Sequence, residues 1–407
     1  MEIDRNALEI IFRTNGERFQ GYPFPDHVYP HNSPNLPFEL RWKGQTAFND
    51  YDFETIDGVF THEIHATLDQ YSAEKIGVLL SGGIDSALCL FLVKREFPDA
   101  KVIAYHSDWG PTFPEGMELE GARNSAKFVG VPLRVIDSSV KAQLPYLIEA
   151  LKNTASISYS TTMFYTAFDV IAREEVDVSV TADGVDSFFG GHRFHKVYYM
   201  RTPLKIVPFI QRFLKYEPYI LASKMLGTEF AWFVSMVSRE PNELVNNSKF
   251  EFSQLYEKVK SNSLWDLIQN WGAANVSYDS FIAARCAHAN NTEVDFPFMK
   301  QSFLDLAGTF SHKSNYNKRI IRMYMADLGF PPVIWETGLR WDKKGWGGSS
   351  IPYFVSEHLE VVRPKRPDPE YWFTKEGLEI YRNMERNRSA TGYLMTLFLK
   401  IIELLEE

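Results

Sequence analysis

Apolar runs of strand length alternate with stretches of helical spacing through much of the first half of the chain. Residues 76–80 (IGVLL) form a continuous apolar run, and the segment ALCLFLVKREF that follows, closed by Pro98, has the length and spacing of a helix. KVIAYHS (101–107) predicts a second strand, and residues 117–130 predict an amphipathic helix stopped by Gly130. A third strand is predicted at LRVID (133–137), a helix at MFYTAFDVIAREE (163–175) and a fourth strand at VDVSVT (176–181). Buried strands that alternate with helices predict a parallel, doubly wound α/β sheet that binds ligands at the carboxyl ends of its strands.

The flanks read differently. Residues 60–72 predict a helix feeding the first strand. Residues 1–58, rich in Pro, Asn, Phe and Tyr, predict an irregular or short-stranded lead packed on the body. After Gly191 the strand signals fade. Residues 203–285 and 300–330 carry helical patterns, and YLMTLFLKIIELLEE (393–407) reads as an amphipathic helix. The expected organisation is therefore a lead (1–58), an α/β core (59–200) and a mostly helical half (201–407) that completes the same unit.

Composition narrows the function classes. The 407 residues are 45% hydrophobic and 23% charged, which is globular, and the 15% aromatic share points to a large core. With 43 Lys+Arg against 52 Asp+Glu the net charge is −9, which argues against a protein built to grip phosphodiester backbones. Two distant cysteines, Cys89 and Cys286, build neither a disulfide framework nor a zinc site, so a reducing cytosol is expected. The start MEIDRNALEI lacks a signal peptide's apolar stretch, and the run from Phe230 to Val237 is too short to span a bilayer. A cytoplasmic protein without membrane contact is the expectation.

Two loops carry candidate chemistry. Ser81-Gly82-Gly83-Ile84-Asp85-Ser86 follows the first strand and opens a helix. Its glycines let the backbone approach a ligand, its serines add hydroxyl donors, and the helix start adds a positive dipole end, which together suit a pyrophosphate. Asp85 inside such a cradle implies an intervening cation, Mg²⁺. A Walker A loop it is not, since no Gly-Lys-Ser/Thr follows. The second loop, Thr181-Ala182-Asp183-Gly184-Val185-Asp186-Ser187, follows the fourth strand and so lies at the same sheet edge. Asp186 would complete a metal site with Asp85, and Asp183 would receive a proton from an amine.

With these residues the chain resembles the synthetase domain of the asparagine synthetase family, within the PP-loop (N-type) ATP pyrophosphatases. Their fold is adenine nucleotide alpha hydrolase-like. SGGIDS matches the family's SGGxDS, and TADGVDSFFGG is similar to its SGEGxDExFGG. Downstream, Glu293-Val294-Asp295-Phe296-Pro297-Phe298, Lys318 in NKRIIR, and Lys344-Gly345-Trp346 (or Lys343) match further family elements, so the resemblance spans about residues 60–355. It implies that ATP activates a small carboxylic acid as an acyl-adenylate, which ammonia or an amine then captures. On that resemblance Leu80, Ser81, Gly82, Gly83, Asp85, Ser86, His106, Thr181, Ala182 and Gly184 would contact ATP. Asp85 and Asp186 would bind Mg²⁺, while Lys318 and Lys344 would stabilise developing negative charge.

The departures are specific. Position 2 is Glu and only some 60 residues precede the matched region, so glutamine hydrolysis by this chain is not expected and a separate glutaminase could supply ammonia. Asp183 and Ser187 each stand where the family has Glu, and Asp295 stands at an Arg, which is expected to alter substrate recognition. ASISYSTTMFYT (155–166) is hydroxyl-rich where the family carries acids, so aspartate is not the expected acid. The same loop admits a nucleobase modifier that adenylates a carbonyl oxygen, against which the charge of −9 counts, and a non-catalytic ATP-binding relative, suggested by Ser187 and Asp295. The remaining clusters read as structural. His62-Glu63-Ile64-His65 lacks zinc-protease spacing, Cys89 is a buried thiol, and His192-Arg193-Phe194-His195-Lys196 compensates the acidic loop or contacts a substrate anion.

Overall fold

The computed structural model describes residues 40, 42–44, 52–109, 117–158, 160–191, 195, 264–337, 359, 361–383 and 390–406. In chain order these form α1 (Phe53–Leu68), β1 (Lys75–Leu79), α2 (Ile84–Glu96), β2 (Lys101–Asp108), α3 (Met117–Val129), β3 (Leu133–Asp137), α4 (Leu147–Thr154), α5 (Thr161–Arg173), β4 (Val178–Val180) and the one-turn α6 (Val185–Phe188). The second half adds α7 (Leu264–Ala289), β5 (Val294–Asp295), α8 (Gln301–Gly308), α9 (Arg319–Asp327), α10 (Pro332–Trp335), α11 (Lys375–Arg382) and α12 (Ala390–Glu406). Among the described residues no helix is long and apolar enough to cross a membrane.

The five strands make one parallel sheet in the order β3-β2-β1-β4-β5. From central β1 the chain winds outward to β3 and then returns to the other side for β4. The loops after β1 and β4 therefore open at a topological switch point, where such sheets bind ligands. Two expectations are corrected. The sheet gains a fifth strand from the half in which strand signals fade, because two residues pairing Ser179↔Val294 and Val180↔Asp295 are too short to show a period. The helix expected at 60–72 begins instead at Phe53, inside the irregular lead. Asp52 caps it by accepting the Thr55 amide at 3.1 Å, and Ile56, Phe60, Ile64 and Leu68 lay one buried stripe against the core.

That stripe ties the two halves together. Phe60 packs edge-on against Phe303 and Phe298, with ring centroids 4.6 and 5.1 Å away, and Tyr324 lies at 5.7 Å. The main core continues through α2, the sheet, α7 and α9. A second cluster joins α4 to α11 and α12, with Phe398 and Leu399 fully buried.

Candidate active site

The SGGIDS loop is clamped from one side by the first turns of α3. Gly82 has φ +86°, and a Cβ there would lie 2.1 Å from the Glu118 carbonyl oxygen. Gly121, one turn along α3, returns the contact, since its Cβ would lie 2.5 Å from the Gly82 oxygen. Within the loop the two serines bind each other: Ser81 Oγ and Ser86 Oγ are 3.0 Å apart, and Ser86 Oγ donates to the Gly83 oxygen at 3.1 Å. The Ser81 and Gly83 amides donate to these hydroxyls at 3.2 and 3.3 Å. At the loop's entry the Leu80 amide donates to the Tyr105 oxygen, and the imidazole of His106 sits 2.8 Å from the Leu80 oxygen. Leu80 and His106 are both buried, and burial pushes the imidazole below its ordinary range, so His106 holds the loop's backbone as a neutral ring.

Opposite, Gly184 turns the second loop at φ +110°, where a Cβ would lie 2.6 Å from the Phe298 oxygen. Asp186 follows in α6. The next turn is laced to a segment more than a hundred residues downstream: the Asn317 amide donates to the Gly190 oxygen at 2.9 Å and the Lys318 amide to the Phe189 oxygen at 3.0 Å. Asn317 and Lys318 are both left-handed, at φ +53° and +57°, a conformation costly for residues with a Cβ and held here by those bonds. Arg322 on α9 adds a bond from Nε to the Asn317 oxygen at 3.0 Å.

This lacing brings three distant residues into one cluster. Lys318 Nζ lies 2.8 Å from Asp85 Oδ2 and 2.5 Å from Asp186 Oδ1. Burial pushes the Asp85 carboxyl up to about 6, although the Lys318 ammonium pulls the other way. For Lys318 burial opposes the charge, but Asp186 and Asp85 outweigh it and hold the ammonium above its ordinary range. Asp183 lies in a different setting, with Oδ2 accepting from Ser280 Oγ of α7 at 2.9 Å, and burial raises its carboxyl.

The donor set fits Mg²⁺. Asp85 Oδ1 is buried without a hydrogen-bond partner, and it is the kind of hard oxygen the ion takes. Among the described residues no group of three His, Cys, Asp or Glu could hold a metal, so a cation here would need phosphate or water to complete its shell.

The other candidate positions divide. Thr181 and Ala182 lead from β4 into the turn, and Ser187 is buried in α6. Lys343 and Lys344 lie outside the described residues, as do His192, Arg193 and Lys196. Asp295, expected to alter substrate recognition, has both carboxylate oxygens engaged. Oδ2 accepts from Gln70 Nε2 and the Tyr71 hydroxyl at 3.1 Å each, and Oδ1 accepts from the Phe296 amide at 2.7 Å. It braces β5 against the turn after α1. The hydroxyl-rich segment is buried at Ser156, Ser158, Ser160, Thr161 and Thr162, and Cys286 of α7 donates to the Thr161 oxygen. Cys89 is fully buried, which raises its thiol far above the reactive range. Ser280 carries no motif, and only the structure reveals it; Arg322 closes the NKRIIR stretch, but its hold on the Asn317 oxygen shows only in the structure.

Residues 63–337 match the asparagine synthase family model. Asparagine synthetase [glutamine-hydrolyzing] 2 of Oryza sativa subsp. japonica is 26% identical over 200 residues, covering 44% of this chain and 32% of that protein. Asparagine synthetase [glutamine-hydrolyzing] 1 of Bacillus subtilis (strain 168) is 25% identical over 233 residues, 51% of this chain and 33% of that protein. The chain thus spans about a third of the length of these relatives. Among solved structures, the NH3-dependent NAD synthetase from Campylobacter jejuni subsp. jejuni NCTC 11168 superposes with a TM-score of 0.26 at 18% identity, over 34% of this chain and 60% of that one. The U34-tRNA thiolase NcsA from Methanococcus maripaludis gives a TM-score of 0.29 at 16% identity, over 55% and 80%.

Proposed function

This chain belongs to the asparagine synthase family, and on that premise we propose that it is an ATP-dependent, AMP-forming ligase that joins a small carboxylic acid to ammonia or an amine. The observation that carries the reading is the junction of Asp85, Asp186 and Lys318 at the switch point between β1 and β4. A phosphate chain lying on the SGGIDS loop would meet fixed hydroxyls, a helix start and a buried cation, and Asp85 and Asp186 would hold Mg²⁺. When bound, Mg²⁺ would neutralise charge on the departing pyrophosphate.

The chemistry proceeds in two steps. A carboxylate oxygen attacks the α-phosphorus, the bond to the bridging oxygen breaks, and pyrophosphate leaves. The nitrogen then attacks the acyl carbon, its proton passes to Asp183, and AMP departs with the bond's electrons. Asp183 suits that role because burial raises its basicity while Ser280 keeps one oxygen fixed. Lys318 would follow the negative charge as it develops on the phosphates, and Lys344 is proposed alongside it by family resemblance alone. Nitrogen would arrive as free ammonia, from a separate glutaminase, or on an amine substrate.

The test is pyrophosphate–ATP exchange with Mg²⁺ against a pool of small carboxylates, wild type beside Asp85→Ala. Acid-dependent exchange that disappears in the variant is the expected result, and the pool can then be split to find the acid. Turnover of ATP to ADP and phosphate would overturn the reading.

A further inference from the structure

Lys318 stands where a cation bound by both carboxylates would have to stand. Its ammonium contacts Asp85 and Asp186 together, and only 12% of its side chain is exposed. This is no surface lysine that happens to reach inward. Its backbone is fixed left-handed by the bond to Phe189, on the turn that follows Asp186, and Arg322 holds the carbonyl of Asn317 next to it. Gly191 shows how tightly the side chain is routed, for a Cβ there would lie 2.2 Å from Asp186 Oδ1 and 2.8 Å from Lys318 Cε.

We propose that Lys318 is a built-in competitor for the divalent cation, closing the Asp85–Asp186 pair until the ammonium moves away. The inference rests on the reading of that pair as the metal site. Like charges repel, so a dication cannot settle between the two carboxylates while the ammonium lies on both. Among the described residues Asp85 and Asp186 are the carboxylates that Lys318 meets, so metal arriving alone would displace the ammonium from both and bring no anion to receive it. Metal arriving with a triphosphate brings that anion. The consequence is that cation and nucleotide enter together, and that the lysine is delivered to the phosphates at the moment the metal takes its place.

The experiment uses Mn²⁺ alone, titrated by electron paramagnetic resonance at pH 8 into the full chain. Wild type is compared with Lys318→Met, Lys318→Gln and the double variant Lys318→Met/Asp85→Asn. Thermal melts followed by circular dichroism confirm that each is folded, and Lys318→Gln, which keeps a hydrogen bond to the carboxylates without charge, serves if the Met variant is not. The expected result is one Mn²⁺ bound at least tenfold more tightly by the single variants than by wild type, with that gain lost in the double variant. Equal, measurable affinity in wild type and the single variants overturns the competition and leaves the metal site standing. Absence of Mn²⁺ binding in folded single variants overturns the assignment of Asp85 and Asp186 as a metal pair, and the competition with it.

Discussion

Gly82 and Gly83 are adjacent in the same loop, yet the structure gives them separable tasks. At Gly82 the backbone is left-handed, φ +86°, and an added Cβ would lie 2.1 Å from the Glu118 carbonyl oxygen and 3.1 Å from its Cα. The left-handed conformation alone costs roughly 1–2 kcal/mol for a residue with a Cβ. The overlap is with backbone, so relief requires moving the first turn of α3 by about an ångström, an overpacking cost of about 1–3 kcal/mol. Gly82→Ala should therefore lose about 2–5 kcal/mol, a fall in Tm of roughly 2–6 °C for a chain of this length. Gly83 is extended, φ −83° and ψ 166°, and an added Cβ would meet only Ser81 Oγ at 3.4 Å, an ordinary contact. Gly83→Ala should keep the wild-type Tm or raise it slightly through the reduced freedom of the unfolded chain. If phosphate lies on this loop, the new methyl occupies the approach, so ATP binding should weaken at least tenfold in a fully folded protein. Circular-dichroism melts and calorimetric titration with Mg²⁺-ATP measure the two effects. A Gly82→Ala melt within about 1 °C of wild type would refute the clamp by α3. Unchanged ATP affinity in Gly83→Ala would refute the placement of phosphate against that residue.

Three further outcomes follow from other parts of the structure. Burial raises the Glu118 carboxyl from 4.5 to about 7, so the folded state holds its proton more tightly than the unfolded chain does. Stability is then lost as pH rises through that window, and Glu118→Gln should gain Tm over wild type progressively between those values and level off above them. A constant difference across the range would show that the carboxyl is not desolvated. Ser280→Ala removes one donor to Asp183, and should slow amide formation roughly tenfold while leaving pyrophosphate exchange intact; equal loss in both assays would separate Ser280 from the proton-transfer step. Phe60→Ala, at a fully buried position among Phe298, Phe303 and Tyr324, should cost about 3–5 kcal/mol in urea unfolding. A cost below about 1 kcal/mol would mean that this cluster does not join the two halves.

What the sequence made legible was what the chain encodes locally. Three strands, β1, β2 and β4, were readable as largely apolar stretches buried in the sheet, and β3 as a short strand-like run between turn signals although only Ile136 of it is buried. The two loops were readable because a strand–turn–helix passage forces glycines and hydroxyls into a short, recognisable string. The fifth strand was not, since Val294 and Asp295 pair with β4 only because Thr292 to Phe298 passes beside it. Asp295 shows the same limit from the other side: that it replaces a family Arg is visible in the sequence, but not that its carboxylate accepts from Gln70 and Tyr71, more than two hundred residues away. Lys318 could be picked out by resemblance, but its grip on Asp85 and Asp186 depends on a left-handed turn laced to Gly190, which no spacing announces. Ser280 lies deepest in this class. A serine on a long helix looks like any other polar position until α7 is packed against α6 and β5 and its hydroxyl meets Asp183. The strand ends thus supply the candidate groups in readable form. The second half of the chain sets their charge state and direction through single side chains, and these must be seen in place to be recognised.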